Sequence, residues 1–430
     1  MKRLEREAEA IARSILRCDQ LRVISHNDAD GITSAGLICN ALKRAQIPFH
    51  ASLVNRLDEA LVDSIAPPVV FCDMGSGKPD LISRIKGDVF ILDHHRPVGD
   101  LACAHLNPHD FGIDGAFELS ASGTVYSVVR KMGKNSDLAG LAIAGALGDR
   151  QSMIGANRSI LEEAIASGAV KTEAGLKMSE DGPIDNVFEH SIEPLLDFTG
   201  NPTKTKEFLE QLHLGGDIQS LDHNLLNRTS TALTLKLLMQ GSFAADSIIG
   251  EVIRLKNEVV ENSLEFVQLL NACGNKDLPG LGLTLCLRDK SALEQARSIA
   301  AEYRDAILDE IKILREQHKV LNNIRYLMVE DMQAGAVVAG LGIRYLYSDM
   351  PLLTLNHKGD VIKVSARGNE LLISQGLDLS AALRKAAEEV GGVGGGHNVA
   401  SGASIPTGTQ EKFLFCVDQI VGEQLRRPIK

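Results

Sequence analysis

Short apolar runs that end at acidic residues and histidines place the strongest constraint on the fold of this chain. The first run, residues 21–24, reads as a buried strand and leads into Ser25–Gly31, where one imidazole and two carboxylates lie within five residues. A helical apolar pattern follows directly. His26, Asp28 and Asp30 therefore lie at a strand-to-helix turn, the place where α/β proteins bind ligands.

The same arrangement recurs three more times in the first 150 residues. The positions are Asp73 after Pro68–Phe71, then Asp93, His94 and His95 after Val89–Leu92, and Asp149 after the helical segment Leu138–Leu147. A single Asp after a strand usually caps a helix or forms a turn. Four such positions favour a shared metal site, because carboxylates that converge without a cation repel each other.

Composition limits the class of protein. The 430 residues are 44% hydrophobic, contain no apolar stretch of membrane-spanning length and begin with a charged, amphipathic segment, so we expect a soluble cytoplasmic protein that does not bind membranes. Seven scattered cysteines without a Cys-x-x-Cys pair argue against disulfides and structural zinc. The net charge of −11 disfavours strong binding of nucleic acid, and the absence of tryptophan with an aromatic content of 4% limits base stacking. We therefore expect modest affinity for nucleic acid, with contacts mainly at phosphates and sugars.

The chain divides into three segments of different pattern. Residues 1–190 alternate strand and helix and predict a parallel sheet, residues 191–321 form a mostly helical connecting region, and residues 322–430 form a smaller α/β domain. We predict helices at Ser247–Asn271 and Ser291–Gln317 in the middle segment. In the last segment we predict strands at Ala336–Leu341, Pro351–Leu355 and Val361–Ser365. The fold class is therefore α/β.

The motifs in this order resemble those of the DHH phosphoesterase superfamily, whose name describes Asp93-His94-His95. The first motif matches at His26–Gly31, the second at Asp73 and the fourth at Gly148-Asp149-Arg150. Gly391–His397 and Ser365-Ala366-Arg367 resemble the two motifs of the DHH-associated C-terminal domain. Leu269–Gly274 and Glu302-Tyr303-Arg304 resemble the RecJ-like nucleases, in their shorter archaeal form without an OB domain. Asn275 departs from that pattern, since an Arg often follows the glycine there.

The resemblance implies the roles of individual residues. It makes His26, Asp28, Asp30, Asp73, His94 and Asp149 ligands of two divalent ions, preferably Mn²⁺ or else Mg²⁺, with Asp73 as the bridge between them. Asp93 would orient the histidines. His95 would contact phosphate or protonate the leaving group, and a metal-ligand role is the alternative. The substrate would bind at Ser365, Arg367, Gly395, Gly396, His397 and Asn398.

Other features have simpler interpretations. The glycine run at Gly391–Gly396 reads equally well, in isolation, as a flexible linker. Ser122-Gly123-Thr124 begins a helix whose amides can bind a phosphate, although ordinary capping is the usual outcome. His223 follows Asp222 in a helical region and is interpreted as a surface histidine. His105 and His109 flank Asn107-Pro108, which suggests a loop, and neither is assigned to the metal.

We therefore expect a metal-dependent exonuclease that hydrolyses single-stranded nucleic acid, with DNA favoured over RNA, in replication or repair. The alternatives are a phosphodiesterase for oligonucleotides or other small phosphate esters, and a scaffold without activity in a replication complex. A helicase or a GINS-type complex is the partner that the resemblance implies, and an oligomer is compatible with the sequence. The polarity of cleavage and the choice between DNA and RNA are left open.

Overall fold

The computed structural model describes residues 2–178, 180–329 and 332–426. Contacts divide the chain into two units: unit 1 contains Met1–Ala174 and Glu251–Ala301, and unit 2 contains Gly175–Gly250 and Glu302–Lys430. The mostly helical middle region is thus shared between the units. The boundaries at residues 190 and 321 remain predictions of the sequence pattern.

The first part of the chain alternates strands and helices. Its elements are α1 (Lys2–Ile15), β1 (Leu21–His26), α2 (Ala29–Arg44), β2 (Phe49–Val54), α3 (Glu59–Ser64), β3 (Val69–Cys72), α4 (Pro79–Ile82), β4 (Val89–Leu92), β5 (Ala104–Leu106), α5 (Ala121–Val129), α6 (Ala139–Gly148) and α7 (Gly155–Ala166). Strands β1 to β5 form one parallel sheet in the order β2-β1-β3-β4-β5. This confirms the parallel sheet that the sequence predicts.

The sheet of unit 1 is buried on both faces. Val23 and Val70 lie in the larger apolar cluster, whereas Ile24, Phe71 and Ile91 lie in a second cluster on the other face. Successive residues of a strand point to opposite faces, and a parallel sheet is covered by helices on both, which explains why these strands read as continuous apolar runs.

The middle of the chain is mostly helical. Its elements are β6 (Val170–Leu176), α8 (Ile184–His190), α9 (Pro202–Gln211), α10 (His223–Met239), β7 (Ile249–Leu255), α11 (Ser263–Asn275), α12 (Pro279–Cys286) and α13 (Leu293–Gln317). The predicted helix at Ser247–Asn271 is wrong in its first half, because residues 249–255 form β7, which pairs with β6. Ile and Val favour the strand there, and Asn262 caps α11 by accepting a hydrogen bond from Leu264 N at 3.0 Å.

Unit 2 ends in a mixed sheet. The remaining elements are β8 (Lys319–Val320), β9 (Arg325–Met328), α14 (Met332–Leu341), β10 (Leu352–Lys358), β11 (Val361–Arg367), α15 (Glu370–Ser374), α16 (Leu379–Glu388), β12 (Val393–Gly396), β13 (Ala400–Pro406) and α17 (Gln410–Leu425). The strand order is β12-β13-β11-β10-β9-β8, with β9 and β10 parallel. The smaller C-terminal α/β domain is confirmed.

One prediction for the C-terminal segment is corrected, and one alternative is excluded. The apolar run Ala336–Leu341 is part of helix α14 rather than a strand. Ala334, Val338 and Leu341 are all buried, and their spacing of four and three residues marks one face of a helix, which a run of six residues is too short to reveal. The glycine run is not a flexible linker, since Val393–Gly396 form β12 and pair with β13.

Among the described residues, no helix is both long enough and apolar enough to cross a membrane.

Candidate metal centre

The first three motifs leave the sheet of unit 1 at one edge. Ser25 lies opposite Cys72, and Cys72 lies opposite Leu92, so β1, β3 and β4 end at the same level. His26, Asp73 and Asp93 follow these ends. The strand order reverses between β1 and β3, and open α/β sheets bind ligands where the order reverses.

All six predicted metal ligands, together with His95, come together as possible ligands of a cation. They form three groups, which are His26, Asp28 and Asp73; Asp73, His94 and His95; and Asp30, His94 and Asp149. In each group the ligand atoms lie within 4.8 Å of one another. Asp149 reaches the site from the C-terminal end of α6. Because Asp73 and His94 each belong to two groups, the three groups form one continuous site.

Asp73 lies at the centre of this site, and its two carboxylate oxygens face different partners. Oδ2 is 3.5 Å from Nδ1 of His26, whereas Oδ1 is 3.3 Å from Nε2 of His94. The residue is only 3% exposed, and no described group donates a hydrogen bond to Oδ1. A buried carboxylate oxygen without a hydrogen bond is unfavourable, and a cation would compensate for it.

The backbone of Asp73 supports the same conclusion. Its φ of +59° lies in the left-handed region, which costs a residue other than glycine about 1–3 kcal/mol and which proteins retain mainly at functional sites. The donor set of carboxylates and imidazoles, without thiolates, suits Mn²⁺ or Mg²⁺. The residues present therefore fit the divalent cations that the sequence motifs imply.

Asp30 is held by the N-terminus of helix α5. Its two carboxylate oxygens accept hydrogen bonds from Ala121 N at 2.8 Å and Ser122 N at 2.9 Å, and the residue is fully buried. The first amides of α5, which could have bound a phosphate, therefore bind Asp30 instead. Ser120 caps the helix by accepting a hydrogen bond from Gly123 N. A helix N-terminus stabilises a negative charge, so this contact fixes the carboxylate inside the protein.

Gly145 allows helix α6 to pack closely against Asp30. A Cβ atom on Gly145 would lie 2.4 Å from Oδ1 of Asp30 and 2.1 Å from Oγ of Ser122, which is closer than side chains tolerate. The glycine thus lets the last turns of α6 pass over the buried carboxylate. That path delivers Asp149 to the metal groups.

The ring of His94 is oriented by a backbone carbonyl. Its Nδ1 lies 2.7 Å from the oxygen of Gly115, which can only accept, so Nδ1 carries the proton. Nε2 faces Asp73 and Asp149, each 3.3 Å away, and can bind a metal when the metal displaces its proton. A metal-bound histidine usually donates its other ring nitrogen to such an acceptor. A Cβ on Gly115 would lie 2.1 Å from the oxygen of His94, so only glycine fits there.

Sequence reasoning missed a buried amide chain that supports this carbonyl. Gln151 Nε2 donates to Gly115 O at 2.8 Å, and Asn157 Nδ2 donates to Gln151 Oε1 at 2.8 Å. Gln151 is 4% exposed and follows Asp149 by two residues. The Gln151 side chain therefore connects the segment of Asp149 with the Gly115 carbonyl that orients His94. No local motif in the sequence identifies Gln151.

Asp93 orients the other histidine. Its Oδ1 lies 2.8 Å from Nδ1 of His95 and accepts from His94 N at 2.8 Å, and its Oδ2 accepts from Ser76 N at 2.9 Å. Asp93 thus contacts the ring of His95, whereas the ring of His94 has Gly115 as its partner. The side chain of His95 is 53% exposed and also belongs to one metal group, so its predicted roles as a phosphate contact, proton donor or ligand are all compatible with its position.

The histidines that were not assigned to the metal lie outside these groups. His105 is on strand β5 rather than in a loop, and its Nε2 contacts Ser76 Oγ at 3.0 Å. Asn107 joins the same network by donating to Ser76 Oγ and to the oxygen of His95. His109 lies in the 3₁₀ helix Pro108–Phe111. In unit 2, Asp222 caps α10 and His223 is exposed, as the surface interpretation predicts.

Helix α11 closes over the first motif. Ala29 N donates to Asn271 Oδ1 at 3.1 Å, and Asn27 Nδ2 donates to Gly274 O at 3.2 Å. A Cβ on Gly274 would lie 1.8 Å from the oxygen of Asn27. The Leu269–Gly274 segment therefore supports the metal loop. Asn275, which stands where an Arg was expected, donates back to Asn271 O.

Charges in the site perturb one another strongly. Burial disfavours the charged form of His26, but hydrogen bonds to Asp28 and Asp73 outweigh it and raise the pKa of His26 to about 11. The pKa of His94 is raised by Asp73 and Asp149 against the same effect of burial. Burial and the negative charge of Asp73 raise the pKa of Asp30 to about 6. Without a cation, the carboxylates therefore retain protons on the histidines.

The predicted substrate-binding residues lie together on the sheet of unit 2. Arg367 ends β11 opposite Ala400 of β13, and His397 N donates to Ala400 O at 2.8 Å. Gly395 and Gly396 belong to β12, and Asn398 follows. Ser365 and Gly395 line a shallow groove of about 650 Å³ together with Lys363 and Ser404. Arg367, Gly396, His397 and Asn398 are not among the residues lining that groove.

Comparison with known proteins identifies the family. The model of the DHH family, N-terminal domain, matches residues 20–146, and the DHHA1 domain matches residues 335–423. An uncharacterized protein of Methanocaldococcus jannaschii is 32% identical over 99% of both chains. The chain belongs to the DHH phosphoesterase superfamily.

Solved structures show how widely this DHH fold is shared. RecJ of Thermus thermophilus, in complex with Mn²⁺, has a TM-score of 0.65 at 15% identity over 98% of this chain and 55% of that chain, so this chain spans about half of that RecJ. CDC45 of Entamoeba histolytica has a TM-score of 0.68 at 12% identity over 97% of this chain and 99% of its own. At these identities the likeness concerns the fold.

Metal binding should release protons. The pKa of His26 is about 11 and the pKa of His94 is raised, so both imidazoles are positively charged at pH 7 in the metal-free protein. A cation that binds to these rings displaces one proton from each. We expect Mn²⁺ affinity to rise with pH and calorimetry in buffers of different ionisation enthalpy to show more than one proton released per chain. A His26→Gln variant should release fewer. Proton-independent binding would contradict this electrostatic description.

Gln151→Leu should weaken metal binding without unfolding the protein. Loss of its donor frees the Gly115 carbonyl that orients His94, and loss of such a supporting contact typically lowers metal affinity 10- to 100-fold. Titration of the metal-free protein with Mn²⁺ measures the effect. Gln211→Leu, at an exposed position of α9, is the matched control and should bind normally. Equal affinity of the two variants would remove Gln151 from the site.

Proposed function

We propose that this DHH phosphoesterase is an exonuclease of the RecJ-like branch, which hydrolyses single-stranded DNA with two divalent cations, preferably Mn²⁺. The observation that carries the proposal is the position of Asp73, whose two oxygens face His26 on one side and His94 on the other. Such a carboxylate is suited to hold two cations at once. The fold of RecJ extends over 98% of this chain, and RecJ structures contain Mn²⁺ or Mg²⁺.

The residues would divide the work of hydrolysis. His26 and Asp28 would hold one cation, and Asp30, His94 and Asp149 the other, with Asp73 shared. When bound, two cations activate the attacking water and offset the charge on the phosphoryl oxygens. Asp93 fixes the ring of His95 through its 2.8 Å contact, so that the exposed edge of the ring can give a proton to the leaving oxygen. The hydrogen bond with Asp93 raises the pKa of His95, which favours the protonated ring that this step needs.

In unit 2, the substrate phosphate would bind to Arg367, supported by Ser365 and by the segment Gly395–Asn398. A guanidinium presents two parallel donors to a phosphate, and exposed glycine amides add further donors. Gly396 has a φ of +144°, so a side chain at this position would be strained.

Two alternatives remain distinct from this proposal. A phosphodiesterase for oligonucleotides or small phosphate esters would use the same metal residues but would not gain from longer strands. A scaffold without activity would have no use for a complete set of buried carboxylates, whose mutual repulsion is unfavourable. A helicase or GINS-type partner is part of the proposal for replication or repair and is compatible with catalysis.

Asp149→Asn should abolish hydrolysis of an end-labelled single-stranded DNA 20-mer in Mn²⁺, because the amide removes a charged ligand and lowers cation affinity. Asp222→Asn is the matched control, since Asp222 caps α10 and Asn caps a helix equally well. The control should cut at the wild-type rate. Substantial cutting by Asp149→Asn, or by the wild type in EDTA, would refute the metal-dependent mechanism.

Arg367→Ala should lower kcat/KM on the same 20-mer about 10²- to 10³-fold, the usual effect of losing one donor to a developing phosphoryl charge. Arg367→Lys should recover little, because an ammonium cannot form the paired contact. Steady-state kinetics at saturating Mn²⁺ measures both, and Mn²⁺ affinity should be unchanged. Wild-type rates in both variants would mean that Ser365, Arg367 and His397 do not bind substrate.

A further inference from the structure

Several exposed apolar side chains of unit 1 lie on segments that adjoin the candidate metal centre. In the described part of unit 1, six large apolar side chains are well exposed: Leu16, Val98, Phe117, Ile154, Ile165 and Leu278. Three of them, Val98, Phe117 and Ile154, lie on segments that hydrogen bonds connect to the metal residues or to the groups that orient them. Val98 N donates to Ser76 O, for example, and Ser76 N binds Asp93. The metal residues themselves are charged, and the exposed apolar side chains of these three neighbouring segments are called the apolar rim below.

Phe117 is the aromatic member of this rim, and its loop is rigidly built. Asp114 Oδ1 accepts from Ala116 N at 2.8 Å, and Asp114 O accepts from Glu118 N at 2.8 Å, which closes a tight turn around Phe117. Gly115, two residues earlier, is the residue whose carbonyl orients His94. Phe117 is 60% exposed. The hydrogen bonds fix the backbone of the turn, so ordering the ring against a planar partner costs only the freedom of its two side-chain torsions.

Ile154 lies on the segment that adjoins this turn. Asn157 N donates to Glu118 O at 2.8 Å, and a Cβ on Gly155 would lie 2.8 Å from Glu118 Oε1, so residues 154–157 run directly beside the turn. Ile154 is 50% exposed and follows Asp149 by five residues. Both apolar side chains thus leave from segments that also hold a metal residue or its supporting group.

We propose that Phe117, with Ile154 on the adjoining segment, forms a stacking surface for the nucleobase next to the hydrolysed phosphate. The inference rests on the proposed function, and it specifies the substrate as a phosphate ester that carries a planar base. An inorganic phosphate chain has nothing to place on an apolar rim. Every base has an aromatic face, so stacking holds the strand without a sequence preference. This surface adds a base contact to the contacts expected mainly at phosphates and sugars.

The test compares Phe117→Ala with the wild type on two single-stranded 20-mers, one normal and one with abasic sugars at both terminal positions. Loss of one base–aromatic contact typically lowers affinity about 5- to 150-fold. We expect Phe117→Ala to lose that factor in kcat/KM on the normal strand and little on the abasic strand, which has already lost the contact. Phe117→Tyr should restore activity because it keeps the ring.

Phe415→Ala is the matched control, since Phe415 is a similarly exposed phenylalanine of α17 in unit 2, and it should cut both strands normally. Equal rates of Phe117→Ala and wild type on the normal strand, or equal losses on both strands, would overturn the stacking surface while the exonuclease proposal stands. Failure of the wild type to cut either strand would overturn the exonuclease proposal instead.

A binding measurement decides the inference independently of cleavage. Terminal 2-aminopurine in a short single strand loses fluorescence when it stacks on an aromatic ring, and the titration is made in EDTA to prevent hydrolysis. We expect quenching with the wild type and Phe415→Ala but not with Phe117→Ala. Equal quenching in all three proteins, or none in the wild type, would contradict the assignment.

Discussion

The repulsion between buried carboxylates at one edge of a parallel sheet is the interaction on which the rest of this structure depends. Asp30 and Asp73 are nearly inaccessible to water, and Asp149 belongs to the same site. Water cannot screen these charges, so the protein must neutralise them with protons or with cations. The raised pKa values of His26 and His94 indicate neutralisation by protons. The oxygen of Asp73 that accepts no hydrogen bond indicates neutralisation by a cation.

Contacts beyond the charged residues hold this unfavourable arrangement in place. The N-terminus of α5 binds both oxygens of Asp30, a backbone carbonyl orients His94, and α11 fixes the loop of the first motif. Close packing at three positions around the site requires glycine. A Cβ on Gly115, Gly145 or Gly274 would lie 2.1, 2.1 or 1.8 Å, respectively, from another atom. The chemistry of the site therefore depends on backbone packing as much as on the acidic motifs.

The sequence predicts those features of the site that follow from the parallel direction of the strands. Parallel strands end at a common edge, so Asp73 and Asp93 could be placed near His26 from the positions of three apolar runs. The carbonyl of Gly115 could not, because a backbone acceptor has no sequence signature. The contact between Asn27 and Gly274 joins residues 247 positions apart, and only tertiary structure reveals it. The sequence predicts a strand where helix α14 lies and a helix where strand β7 lies, because a short apolar run fits both the helical period and the strand period.

In the proposed mechanism, Asp73 would be shared between two divalent cations. Anomalous diffraction from crystals grown with Mn²⁺ and collected near the manganese edge tests it most directly. The account predicts two peaks about 3.5–4 Å apart, one beside His26 and Asp28 and the other beside Asp30, His94 and Asp149, with one oxygen of Asp73 on each. A single peak at saturating Mn²⁺, or two peaks without Asp73 between them, would contradict it.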